Sequence, residues 1–133
     1  MTKYLVCYGV TLLTLLVVDG VWLGLIVKDF YKAQIGHLMA EQVNFLAAGL
    51  FYVIYPFGVV YFASSTGLAS GDWRDAAMRG ALFGFVAYAT YDLSNWATLK
   101  GFPAQMAVVD IIWGSALTAL AATIGMLAAR NVG

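Results

Sequence analysis

Four long apolar stretches, separated by shorter polar ones, organise the chain. A helix needs roughly 20 mostly apolar residues to cross the hydrocarbon core of a membrane, and each stretch is long enough to do so. The pattern predicts helices at about 4–27, 43–65, 78–99 and 104–129. We therefore predict an all-α fold, an integral membrane bundle of four transmembrane helices that forms a single domain over residues 1–133.

The connections between these stretches differ in character. Residues 28–42, "KDFYKAQIGHLMAEQ", are polar with scattered apolar positions, which is typical of a short helix lying at the membrane interface. Residues 65–76 contain glycines and turn formers, which predict a loop. Within this stretch, Asp72 is the predicted N-cap of the third helix. The sequence "KGFP", 100–103, predicts a tight turn.

Composition adds to the membrane interpretation. The chain is 62% hydrophobic and 11% charged, whereas soluble domains are about half apolar and a quarter charged. A formal net charge of zero gives no reason to expect a nucleic-acid partner, and membrane lipids are the expected surroundings. The single cysteine, Cys7, excludes an intrachain disulfide and a multi-cysteine metal site.

The first helix is predicted to be retained, because its apolar run exceeds the roughly 7–15 residues of a signal peptide. Four crossings then place both termini on one side of the membrane, here called side A, opposite side B. The basic residues divide between side A (Lys3, Arg74, Arg79, Arg130) and side B (Lys28, Lys32, Lys100). Since basic residues accumulate in the cytoplasm, we expect cytoplasmic termini in a bacterial inner membrane.

Three of the seven acidic residues fall inside predicted helices. At a rise of 1.5 Å per residue, Asp19 lies ~13 Å, Asp92 ~12 Å and Asp110 ~10 Å from the side B ends of their helices. The three carboxyl groups therefore reach a similar depth in the side B half, although their helices run in opposite directions. We call these three residues the acid layer.

A charged aspartate at the centre of a membrane helix costs about 2.5–3.5 kcal/mol, so the acid layer needs neutralising. A proton, a bound cation, or a basic side chain reaching back from side B (Lys28, Lys100 or His37) would do this. Burial and neighbouring like charges disfavour the ionised form, and we expect at least one carboxyl to be protonated near neutrality. The alternative is that protonated aspartates only hold the helices together.

Polar and aromatic residues accompany the acid layer. Trp22 and Trp113 lie three residues after Asp19 and Asp110, on the same helix faces, so their indole N–H groups can reach a carboxyl on a neighbouring helix. A tryptophan belt at the headgroups is the alternative, and it suits Trp96. The predicted pocket consists of the acid layer together with Asn95, Trp22 and Trp113, with His37 or Asn44 closing it. The tyrosines outside "YATYDLSNW" read as ordinary core or lipid-facing residues.

Other features of the sequence carry less information. His37 and Glu41 share a helical face if their segment is helical, which a solvated interfacial helix also explains. Two small-xxx-small pairs, Gly20 with Gly24 and Gly80 with Gly84, favour close helix packing within the chain over dimerisation. The similarity of "DGVWLGLIVKDF" to "DLSNWATLKGF" indicates a parallel repeat of two helical hairpins.

The motifs "VVDGVWLGLIVKDFYKAQIGHLMAEQ", "GALFGFVAYATYDLSNWATLKGF" and "VVDIIWGSALTALAATIG" cover nearly the whole chain. They resemble an uncharacterised bacterial family of small four-helix membrane proteins, the domain of unknown function DUF2177. The resemblance implies a bacterial inner-membrane location. It implies no reaction and no residue role.

Three functions remain open from the sequence. The leading hypothesis is a small transporter or ligand-binding membrane protein with protons or a cation on the aspartates; a homodimer is then expected, because four helices are few for alternating access. The second is an intramembrane enzyme acting on a lipid or isoprenoid, with an aspartate as general acid or metal ligand. The third is a structural subunit of a membrane complex. No motif identifies a cofactor.

Overall fold

A computed structural model describes residues 1–39, 42 and 44–132, and all regular structure within them is helical. The α-helices are α1 (Thr2–Val21), α2 (Lys28–Ile35), α3 (Phe45–Val59), α4 (Ser65–Ser70), α5 (Trp73–Thr98) and α6 (Ala104–Ala129). Short segments continue some of them: a π-helical turn after α1 (Trp22–Ile26), a 3₁₀ turn after α2 (Gly36–Leu38) and a π-helical turn that joins α3 to α4 (Val60–Ser64).

Several of these helices are long enough to cross a membrane. Among the described residues, three continuous helices are also apolar enough: Thr2–Ile26, Phe45–Ser70 and Ala104–Ala129. Helix α5 is as long as α6, 26 residues, but its sequence is more polar. It packs antiparallel along α6 in the most extensive helix pair of the structure, so a membrane that surrounds α6 also surrounds α5. The prediction of an integral membrane helical bundle is confirmed.

The turn between the second and third long helices is shorter than predicted. The chain is helical over Ser65–Ser70 and again from Trp73, so the predicted loop over 65–76 is wrong except at Gly71 and Asp72. Gly71 ends the helix because its left-handed φ of 76° suits the C-cap position that glycine favours. The predicted N-cap is confirmed, since the Asp72 carboxylate accepts a hydrogen bond of 2.9 Å from the Arg74 N–H. Helix α5 begins at Trp73 as a result.

Glycine allows α5 and α6 to approach closely. A Cβ atom added at Gly84 would overlap the carbonyl oxygen of Gly114 and the side chain of Thr118. The glycine pair of α1 and its π-helical turn makes no such close contact, because a Cβ at Gly20 or Gly24 would meet no described atom within 4 Å. The predicted packing within the chain is therefore confirmed for the α5 pair, whereas the α1 pair faces outward.

The helices pack around an apolar core that lies between the acid layer and side A. Leu15, Val59, Leu117 and Ala121 are almost fully buried there. On side B, α2 folds across the end of the bundle. Its Tyr31 packs against buried apolar side chains outside α2: Val27, Phe102, Met106 and Ala107. The acid layer thus lies between a packed core and a short helix that covers it.

We predict that Gly84→Ala destabilises the protein by about 1–3 kcal/mol, because the added methyl group overpacks the α5–α6 contact. Gly20→Ala is the matched control, and it should be neutral or stabilising by up to about 1 kcal/mol, because it only removes a flexible residue from a helix. Thermal unfolding in detergent measures both. Equal melting temperatures for the two variants would contradict the packing described here.

Candidate functional site

Asp19 is buried at the side B end of α1, where two neighbouring helices donate to its carboxylate. The Tyr52 hydroxyl on α3 donates to Oδ2 over 2.6 Å. The Trp113 indole N–H on α6 donates to Oδ1 over 3.1 Å. Both oxygens of this carboxylate therefore accept from neutral donors, and the two bonds tie α1 to α3 and α6.

Asp110 on α6 is held from the side B end. The Tyr31 hydroxyl on α2 donates to its Oδ1 over 2.9 Å, and the Trp22 indole N–H donates in turn to the Tyr31 oxygen over 3.2 Å. Burial raises the pKa of the Tyr31 phenol above its ordinary value, so the hydroxyl keeps its proton and remains a donor. The ring of Trp22 also stacks on that of Trp113, with centroids 4.0 Å apart and planes 4° from parallel.

Asp92 on α5 has a different environment. It is completely buried, and among the described residues no N–H or hydroxyl group donates to either of its oxygens. Its carboxyl group instead faces that of Asp110 within hydrogen-bonding reach. Two ionised carboxylates cannot form such a bond, whereas a carboxylic acid and a carboxylate can. The pair can therefore hold one proton between its members.

A cavity of about 440 Å³ opens beside these acids, and we call it the aromatic cavity. Its lining comes from five helical segments: Asp19, Trp22, Leu23, Tyr31, Phe51, Tyr55, Ala87, Tyr88, Tyr91, Asp110 and Trp113. The carboxyl groups of Asp19 and Asp110 are the acidic groups in a lining that is otherwise aromatic or apolar. The volume falls within the range of small-molecule sites, roughly 300–1,000 Å³.

Part of the lining of the aromatic cavity is exposed at the surface of the bundle. Helix α5 packs against the second half of the α3–α4 helix, at Val60–Ser70. Nearer side B, three residues of the cavity lining are half-exposed: Leu23 at 44%, Phe51 at 40% and Tyr91 at 55%. Because these residues lie on α3, α5 and the π-helical turn after α1, the cavity reaches the surface of the bundle beside α3 and α5, and we call this exposed edge its mouth.

The remaining predicted site residues lie at varying distances from this cavity. Asn95 is half-buried and lies four residues after Tyr91, a lining residue, on α5. Asn44 is exposed, and its side chain caps α3 by accepting from the Ala47 N–H. His37 is exposed in the 3₁₀ turn, with its ring beside Gly101. Neither Asn44 nor His37 lines the cavity, and Glu41 lies outside the described residues.

Sequence reasoning missed two tyrosines. Tyr31 and Tyr52 were read as ordinary residues, which is wrong, since their hydroxyls donate to Asp110 and Asp19. One signal was present in the sequence: buried carboxylates require donors, and the tyrosines were among the few polar groups left in helices poor in basic residues.

Comparison with known proteins supports the membrane assignment. The family model described as "Predicted membrane protein (DUF2177)" matches residues 4–127, almost the full length. The chain belongs to this family. The resemblance seen in the sequence motifs is thereby confirmed, and it establishes a membrane protein without establishing an activity. No curated protein and no solved structure matches the chain.

We predict that Tyr52→Phe lowers stability by about 1–3 kcal/mol, because the buried Asp19 carboxylate loses one of its two donors. Tyr61→Phe is the matched control, since Tyr61 is 65% exposed and lies outside the aromatic cavity. Melting temperatures in detergent compare the two variants with the parent. A Tyr52→Phe protein as stable as Tyr61→Phe would show that this hydrogen bond contributes nothing to stability.

Proposed function

We propose that this protein binds a small molecule in the aromatic cavity and exchanges it for a proton held by the acid layer. In this proposal it acts in transport or binding at a bacterial inner membrane. The main observation behind this proposal is the buried Asp92 carboxyl group, which has no hydrogen-bond donor among the described residues and faces Asp110. Ionisable groups inside membrane helices are costly, and they commonly mark proton relays or substrate pathways.

The position of Asp110 links the proton to the cavity. This residue contacts Asp92 on one side and lines the aromatic cavity on the other. A ligand that binds at Asp110 changes the charge beside the shared proton, and the position of that proton in turn changes the charge the ligand meets. By linkage, each then affects the binding free energy of the other by the same amount.

The proposal includes an orientation and an assembly. The basic residues favour cytoplasmic termini, and an alkaline phosphatase reporter fused to the C-terminus tests this, since periplasmic activity there would overturn it. A transporter of this size requires a second copy to form two gates around the site. Crosslinking in native membranes tests for the homodimer.

A second candidate is an intramembrane enzyme acting on a lipid or isoprenoid. The observation that favours it is the mouth of the aromatic cavity, whose half-exposed residues lie on α3, α5 and the turn after α1. An apolar chain is able to enter such an opening from the membrane, with Asp110 near its head group. Incubation with radiolabelled total lipid extract would reveal a product if this candidate is correct.

We predict that the purified parent protein carries a bound molecule smaller than a phospholipid, detectable by native mass spectrometry. Acidification should release it, because protonation of Asp110 removes the charge at the cavity wall. Asp110→Asn imitates the protonated state, so it should fold normally and lose the occupant at every pH.

The matched control is Asp29→Asn, which changes an exposed acid on α2 and should retain the molecule. Circular dichroism checks that both variants fold. If the occupant is kept equally by Asp110→Asn and the parent, or is insensitive to pH, the proposed proton exchange is wrong.

A further inference from the structure

We infer that the ligand of the aromatic cavity is a lipophilic organic cation, an ammonium group with apolar substituents, which enters from the lipid between α3 and α5. This inference rests on the proposed function, because it requires that the cavity binds a small molecule. It adds the chemical class of that molecule and its route.

The walls of the cavity suit a cation with little hydration. A ring attracts a positive charge placed over its face within about 6 Å of the centroid, and the attraction grows when the site is desolvated. Rings from every contributing segment line the cavity: Trp22, Tyr31, Phe51, Tyr55, Tyr88, Tyr91 and Trp113. Aromatic walls of this kind are a common way of binding quaternary ammonium groups.

The charge of the cavity has one sign. Asp19 and Asp110 line it, and the described lining includes no lysine, arginine or histidine. Behind Asp110 lies Asp92, fully buried and without a donor. An anion would meet uncompensated carboxylates at close range, and a neutral molecule would leave the negative charge unpaired in an apolar environment. A cation compensates this charge directly.

The arrangement of the acids favours an organic cation over a metal ion. Calcium takes 6–8 oxygen ligands at about 2.3–2.6 Å, and magnesium demands near-ideal octahedral geometry. The described residues contain no cluster of three His, Cys, Asp or Glu side chains suited to a metal. Both oxygens of Asp19 already accept hydrogen bonds from Tyr52 and Trp113. A bulky cation needs only the field of these carboxylates, with the rings supplying the contact area.

The route follows from the depth of the mouth. Phe51 lies seven residues from the N-cap Asn44, and Tyr91 lies seven residues before Thr98, so both are ~10 Å inside the side B ends of their helices. That depth places the opening beside lipid rather than water. A ligand that arrives there has already partitioned into the membrane, which requires apolar substituents around its charge.

The test compares two molecules of the same shape. Benzyltrimethylammonium and neopentylbenzene differ only in a positive nitrogen in place of a neutral carbon. Each is titrated into the protein in phosphatidylcholine nanodiscs, and the stacked pair of Trp22 and Trp113 reports binding through tryptophan fluorescence. The ammonium compound should bind at least roughly 10-fold more tightly than its neutral counterpart, a difference of about 1.4 kcal/mol.

Variants of Tyr91 separate the contribution of the rings from that of the fold. Tyr91 is half-exposed at the mouth, so its replacement should not unfold the protein. Tyr91→Leu should weaken binding of the ammonium compound by roughly 3- to 30-fold, the range of one cation–π contact, whereas Tyr91→Phe keeps the ring and should restore most of the affinity. Asp110→Asn should abolish the preference for the charged compound, and Asp29→Asn should retain it.

The outcomes distinguish the inference from the proposed function. Equal binding of the two compounds, tighter binding of benzenesulfonate, or no binding at millimolar concentration would overturn the organic-cation class. Release of the native occupant by acid, measured separately, would still support proton exchange in each of these cases. Preferential binding of the ammonium compound without any release of protons would support the ligand class and overturn the proton exchange.

Discussion

The structure depends on the burial of three carboxyl groups where a membrane offers no water to solvate them. The described residues form one ion pair, Arg74 with Asp72, at the side A end of α5 and far from the acid layer. Asp19 and Asp110 instead accept hydrogen bonds from neutral donors, two tyrosine hydroxyls and an indole N–H, and the buried Asp92 faces the carboxyl group of Asp110. Hydrogen bonds to a carboxylate are stronger than bonds between neutral groups, and here the tyrosine and indole donors join four helices, α1, α2, α3 and α6.

The rest of the fold serves this arrangement. Gly84 and Gly114 let α5 approach α6 closely, which brings Asp92 against Asp110. Helix α2 crosses the side B end so that Tyr31 reaches Asp110. The π-helical turn beginning at Trp22 follows Asp19 directly, and such turns often occur at functional sites. The result is a polar layer with a cavity beside it, enclosed by apolar surface that faces lipid.

Much of this was predictable from residue patterns, and the limits have physical causes. Apolar runs predict the long helices, and a constant rise per residue places Asp19, Asp92 and Asp110 at similar depths. The end of the second helix was missed, because the small residues of Ser65–Ser70 read as turn formers although they remain helical up to Gly71. The hydrogen-bond partners of the acids were not predictable from the sequence. Which tyrosine meets which carboxylate depends on helix rotation, and hydropathy does not determine it.

The central claim is that Asp92 and Asp110 share a proton, and infrared spectroscopy of the carboxyl C=O stretch measures this directly. The account predicts a band of a protonated carboxylic acid in the parent protein near neutral pH. That band should disappear in Asp92→Asn and persist in Asp29→Asn. A parent spectrum without any protonated carboxyl band near neutrality would contradict the account, and would point instead to a bound cation or to Lys28 or Lys100 as the neutralising group.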